Sequence, residues 1–206
     1  MKKNTENNYK SLPGTPERAA KLAAALSRRQ PGLTAVLENV DDPHNVSAVL
    51  RSCDATGVLQ AYLLYHSGHS FPALGERSSA SARKWVDTRK FDSIASCYES
   101  LRKDGKKIYV TALGKEAESI YEVDLTVPVA LVFGNEHSGV SDEATALADG
   151  NILVPQMGII QSLNISVACA VTLYEAYRQR ATAGMYDLPQ LHDDDFSRLY
   201  SDWLLR

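Results

Sequence analysis

Short apolar runs alternate with amphipathic stretches along most of this chain. Leu33 to Val40, Gln60 to Tyr65, Lys107 to Leu113, Val127 to Phe133 and Asn151 to Val154 are brief and β-compatible, and turn residues bound them, so they predict strands. Between them the apolar residues switch to helical spacing. Val46, Val49, Leu50 and Cys53 form one stripe, opened by the turn Asp41-Asp42-Pro43-His44 and closed by Gly57. Ile94, Cys97, Tyr98 and Leu101 form another within Asp92 to Asp104, stopped by Gly105. A third helix follows Gly139 to Glu143, where Asp142 and Glu143 suit the positive end of a helix, and it ends near Asp149-Gly150. This order predicts right-handed crossovers and an α/β fold. Its parallel sheet is covered on both faces, with ligands at the carboxyl ends of the strands.

Other stretches fit the pattern less well. HSGHSFPALGERSSASARKWV, from His66 to Val86, is weakly patterned and predicts a loop, and GKEAESIYEVDLT, from Gly114 to Thr126, is polar enough to lie outside the core. His66 and His69 lack the Cys or acidic companions of a metal site, so no metal is expected. In Asn164 to Arg180, Ile165, Val167, Ala168, Cys169, Ala170, Val171 and Leu173 cover most of the circumference. A helix apolar nearly all round is buried on more than one side. Its sheet covers one side; a second copy of the chain is the expected cover of another, with burial under the N-terminal helix as the alternative.

Composition bounds the rest. The chain has 206 residues, 44% of them hydrophobic, enough for one domain with a full core. Cys53, Cys97 and Cys169 are far apart, and the polar start MKKNTENNYK is unlike a signal peptide, so a reducing, cytoplasmic setting is expected. No apolar run approaches the roughly 20 residues that span a bilayer. A net charge of -3 and a pI near 6.0 argue mildly against nucleic-acid binding. The charge is uneven, however. Residues 1–30 carry Lys2, Lys3, Lys10, Arg18, Lys21, Arg28 and Arg29 against Glu6 and Glu17. Thr15-Pro16-Glu17 opens a helix there, whose basic face either meets solvent or holds phosphates. The other end, residues 183–206, is short and acidic, and Asp193 to Asp195 repel phosphate.

No GxGxxG, GxxxxGK[ST] or GxSxG occurs, which disfavours an ordinary dinucleotide site, a nucleoside triphosphatase and a serine hydrolase. The candidate chemistry lies in two loops. LVFGNEHSGV, Leu131 to Val140, leaves one strand through a glycine turn; Gln156 to Leu163 leaves the last strand rich in small and backbone-exposing residues. Such loops build a pocket lined by main-chain groups. Arg51 falls off its helix's buried stripe. Just beyond a strand end it is placed either to clamp a phosphate or to sit as a surface arginine.

Three blocks, NVDDPHNVSAVLRSCDATGV, LVFGNEHSGVS and VPQMGIIQSLNISVACAVTLYEAYRQR, resemble motifs 1, 2 and 3 of the SpoU branch of the SPOUT RNA methyltransferases. GIIQSLNISVA, RQR ahead of AGMY, and RRQPGLT are similar to its members that methylate the ribose of guanosine 18 in tRNA. The likeness runs from about Ser27 to Tyr186. It implies a catalytic domain over residues 31–182 with a C-terminal trefoil knot, S-adenosylmethionine as methyl donor, an RNA substrate and a homodimer. By position it implies donor contacts at Thr111, Leu113, Gly134, Asn135, Val154, Gly158 and Leu163, and catalytic roles for Asn45, Arg51, Glu136 and Asn164. A guanidinium loses its proton only above about pH 12, so the expected role of Arg51 is to grip a phosphate rather than to act as base. Other tRNA or ribosomal RNA nucleotides, and a knotted RNA-binding module without catalysis, remain the alternatives.

Overall fold

The computed structural model describes residues 15–72, 82–112, 117–160 and 162–206. Seven strands form one sheet: β1 (Gln30–Glu38), β2 (Val58–Leu64), β3 (Asp87–Phe91), β4 (Lys107–Thr111), β5 (Glu118–Ser119), β6 (Val129–Phe133) and β7 (Gly150–Leu153). Every pairing is parallel, in the order β3-β2-β1-β6-β4-β7-β5. The six helices among the described residues are α1 (Pro16–Ser27), α2 (Pro43–Ala55), α3 (Ile94–Lys103), α4 (Asp142–Leu147), α5 (Ile165–Thr182) and α6 (Asp193–Leu205).

Period-two alternation on the central strands divides the core. Ala35 and Leu37 of β1, with Leu131 and Phe133 of β6, face α2 and α5; Val36, Ala130 and Val132 face α3 and α4. The helices start where capping chemistry dictates. Thr15, Asp42, Ser93, Ser141 and Asn164 each accept a first-turn N–H through the side chain, and Pro16 and Pro43 occupy first helical positions.

The structure corrects several expectations. The polar segment before β6 is half core: Ile120, Val123 and Leu125 are buried, and Glu118–Ser119 pairs with β7. Isolated apolar residues in a polar stretch, too few for a period, hid this. Within the stretch expected to be a loop, Ala82–Lys84 is a helical turn, and Asp87–Phe91 adds an edge strand whose TRK carries no apolar alternation. Residues 193–205 form an amphipathic helix that packs on α1 through Trp203, Leu199, Leu22 and Leu26. The N-terminal helix therefore lies against α6 and does not cover α5. Nor is α5 sealed all round. It buries Glu175 and Arg180 with its apolar residues and exposes Val167, Tyr174 and Tyr177. Strand β1 ends at Glu38, because Asn39 turns into the left-handed region with φ of 53°. Leu113, the expected end of the third strand, lies outside the described residues.

At the amino edge of the sheet, Arg180 is buried without a carboxylate. Its guanidinium donates to the carbonyls of Leu125 (2.9 Å), Val127 (2.8 Å) and Gly32 (3.2 Å) and to Gln30 Oε1 (3.2 Å). Burial lowers its pKa from the ordinary arginine value. Arg29 is buried too, beside Asp54 and 5.1 Å from the Trp203 ring, so it belongs to the structure and not to a solvated basic face.

Candidate active site

Parallel strands deliver their loops to one edge, and here three loops meet. The loop after β6 begins with Gly134, whose geometry leaves no choice of residue: a Cβ there would lie 2.1 Å from Gly139 C and Val140 N. Only glycine permits that approach. The loop closes on itself, Asn135 N donating to Gly139 O (2.9 Å) and Gly139 N to Asn135 O (3.0 Å). The Asn135 side chain orders it further. Its Oδ1 accepts from His137 N (2.8 Å) and Ser138 N (3.2 Å), while Nδ2 donates to Asn39 O (2.7 Å) and Asp41 Oδ2 (3.0 Å) of the loop after β1.

Glu136 completes the join. Its carboxylate accepts from Asp41 N (3.2 Å), Asp42 N (3.3 Å) and Asn45 Nδ2 (2.8 Å), bracing the start of α2. Asn45 Oδ1 accepts from Asn164 Nδ2 (3.2 Å), and Asn164 Oδ1 caps α5 through Ser166 N (2.9 Å). One chain of bonds, Glu136 to Asn45 to Asn164, thus ties together three loops far apart in sequence.

Beside it lies a cleft of about 810 Å³, with Thr111, Gly134, Asn135, Glu136, Leu163 and Asn164 in its wall. A smaller cavity of about 120 Å³ adjoins it between β4, β7 and α5, sharing Thr111, Leu163 and Ala168 and adding Val154. Thr111 is fixed by donating to Val132 O (2.9 Å). Of the expected donor contacts, Thr111, Gly134, Asn135, Val154 and Leu163 therefore share one concavity. Gly158 stands apart, in a loop where Met157 is 95% and Ile159 100% exposed. Arg51 also stands apart. It is exposed on α2, two turns beyond His44 and on a different face from Asn45, and no hydrogen bond or ion pair holds it among the described residues.

Sequence reasoning missed the clamp behind these loops. Glu38, 1% exposed, accepts from Ser141 N (3.0 Å), Ser141 Oγ (2.5 Å) and His66 Nε2 (2.8 Å), so it fixes the far end of the Gly134 loop to β1. A lone acid in the apolar run LTAVLENV was the available signal. Asp41 is held by His69 Nδ1 (3.0 Å), and that hydrogen bond, more than the one from Asn135, lowers its pKa. The three cysteines are free and buried; burial pushes the Cys53 and Cys97 thiols up to about 12, which removes them from the chemistry. Among the described residues no cluster of three His, Cys, Asp or Glu could hold a metal, and no helix is long and apolar enough to cross a membrane.

A parallel α/β sheet with a cleft large enough for a nucleoside where three loops converge defines a class of ligand-binding proteins. Comparison with known proteins identifies the branch: the model of the SpoU rRNA Methylase family matches residues 32–174, and the chain belongs to that family. It is 47% identical over 190 residues to the tRNA (guanosine(18)-2'-O)-methyltransferase of Thermus thermophilus, covering 92% of this chain and 97% of that one. Its fold matches the crystal structure of the A. aeolicus TrmH/SpoU tRNA modifying enzyme with a TM-score of 0.85 and 38% identity, over 92% and 95% of the two chains. The SpoU methyltransferase AviRb from Streptomyces viridochromogenes, solved in complex with AdoMet, matches with a TM-score of 0.65 and 27% identity, over 75% and 60%.

Proposed function

We propose that this protein transfers a methyl group from S-adenosylmethionine to a ribose 2'-hydroxyl in RNA, and that its substrate is guanosine 18 of tRNA. The observation that carries this reading is the chain Glu136–Asn45–Asn164 beside the cleft. The likeness to the Thermus enzyme over nearly its whole length supports the choice of nucleotide. The cleft fits the donor. It is large enough for a nucleoside, small residues such as Thr111, Ala112, Ser138 and Gly139 line it beside the polar Asn135, Glu136 and Asn164, and Gly134 lets the loop after β6 close tightly on itself at its wall.

When bound, the donor supplies an activated methyl group, so the protein's tasks are alignment and removal of one proton. Glu136 and Asn164 hold the loops that position Asn45, and the three set the geometry of the ribose. Arg51, which has no partner among the described residues, grips the phosphate beside that ribose and lowers the cost of the developing oxyanion. A knot that follows Val154 holds the donor. A second copy docks on α5, where Val167, Tyr174 and Tyr177 are exposed, and it completes the site. The exposed Lys21 and Arg28 of the N-terminal segment add phosphate contacts, and a cytoplasmic setting fits three free, buried cysteines.

Mapping 2'-O-methylation in tRNA from cells with and without the protein tests this. Loss of the modification at guanosine 18 is expected; an unchanged map overturns the reading. Val167→Glu should yield monomers in light scattering by placing an unpaired charge in the interface. A wild-type monomer at micromolar concentration refutes the dimer.

A further inference from the structure

The exposed edge of the sheet carries a concentration of positive charge that the loops around the cleft do not use. Strand β3 pairs with β2 on one side, and no strand among the described residues pairs with its other edge. Along it and the helical turn before it lie Arg83, Lys84, Arg89 and Lys90, all exposed in a chain whose net charge is -3. None of the four pairs with a carboxylate among the described residues. Asp87, between them, is taken by Arg206 (3.1 Å), which also binds Asp202, and Asp92 follows beyond the strand's end. Aromatic rings accompany the cations. Lys90 Nζ lies 4.7 Å over Phe71, itself 36% exposed, and Arg89, which donates to the hydroxyl of the buried Tyr62 (2.9 Å), lies 5.3 Å from the Phe91 ring.

The two ends of this strip are what give it direction. At the lower end Arg206, the last residue after α6, donates to Lys84 O, and α6 packs on α1, whose Lys21 and Arg28 are exposed. At the upper end Phe71 meets Tyr65 (5.0 Å between rings), and the same loop carries His69, which binds Asp41, which in turn binds Asn135 of the candidate site. About 15 Å of strand joins them.

We propose that the open edge of β3, with Arg83, Lys84, Arg89, Lys90 and Phe71, is a track for the sugar-phosphate backbone of the substrate RNA, leading from the basic N-terminal helix to the methyl-transfer cleft. The proposal rests on the RNA-modifying function above. Exposed cations interleaved with rings match a phosphate chain and its bases. Lysine on an edge strand also discourages pairing with another sheet. That role needs neither Arg83 nor Lys84 in the turn, nor an exposed Phe71, and any charge would fill it.

Charge reversal separates the two. Arg83→Glu with Lys90→Glu keeps the edge charged but repels phosphate, and is measured in the full chain with a tRNA transcript and with S-adenosylmethionine as separate ligands. RNA affinity should fall at least about tenfold, and the slope of log affinity against log salt should flatten by roughly 1.5. Affinity for S-adenosylmethionine should stay as in the wild type. Arg83→Gln with Lys90→Gln removes the same two phosphate contacts, so it should show about the same change in slope with a smaller loss of affinity. Unchanged RNA affinity and slope in both variants would overturn the track while leaving donor binding and methylation, and so the proposed function, intact. Equal loss of donor and RNA binding in both would assign the effect to folding and overturn it too.

Discussion

The two edges of the sheet use the same kinds of polar residue to opposite ends. At the amino edge, Arg180 donates to the carbonyls of Leu125, Val127 and Gly32 and to Gln30 Oε1, Arg29 donates to Val58 O and pairs with Asp54, and α1 and α6 close over Leu59, near Arg29. Both guanidinium groups are buried away from any ligand. At the carboxyl edge, Glu136, Asn45, Asn164, Asn135 and Glu38 bond to one another and to loop amides, leaving a cleft beside them, and Arg51, two turns along the helix that leaves this edge, has no partner among the described residues. Burial is what differs. A guanidinium surrounded by carbonyls is structural, whereas one held by nothing in its own chain is available to a phosphate.

The largest effect should come from breaking the closed edge. Arg180→Ala leaves three carbonyls and Gln30 without their donor and removes packing, and should cost roughly 3–5 kcal/mol of stability in thermal unfolding. Variants at the open edge should act on turnover instead. Arg51→Ala should lower turnover by about a hundredfold to a thousandfold with donor affinity within a factor of about two. Arg51→Lys should not restore it, since an ammonium lacks the bidentate fork; rescue with a lower pH optimum would assign Arg51 to proton abstraction.

Much of this contrast was legible in the sequence. The central strands and α2, α3 and α5 follow from apolar period and capping residues, and resemblance to a known family pointed to Asn45, Glu136 and Asn164, which share one bonded chain. Long-range polar geometry was not legible. Glu38 reads as a strand residue until Ser141 and His66 are seen on it, Arg29 reads as part of a basic segment, and nothing in RQR marks Arg180 as buried until the carbonyls around it appear. Edge strands β3 and β5 escaped because an open edge needs no apolar alternation.

A smaller effect sharpens the account of the cleft. Gly134→Ala forces a Cβ against Gly139 and Val140, so the loop must open; donor affinity should fall about tenfold or more by titration calorimetry, with global stability lowered by less than in Arg180→Ala. Smallest of all is the expected response to thiol reagents. With Cys53 and Cys97 pushed up to about 12 by burial, and Cys169 raised as well, the native protein should show no reactive thiol at pH 8, and all three should react in denaturant.

The most direct test pairs two tRNA transcripts that differ in one atom, guanosine or 2'-deoxyguanosine at position 18, incubated with the protein and methyl-labelled S-adenosylmethionine. The account predicts label on the first, at the ribose of that nucleotide, and none on the second. Equal labelling of both, or label on a base, would contradict it.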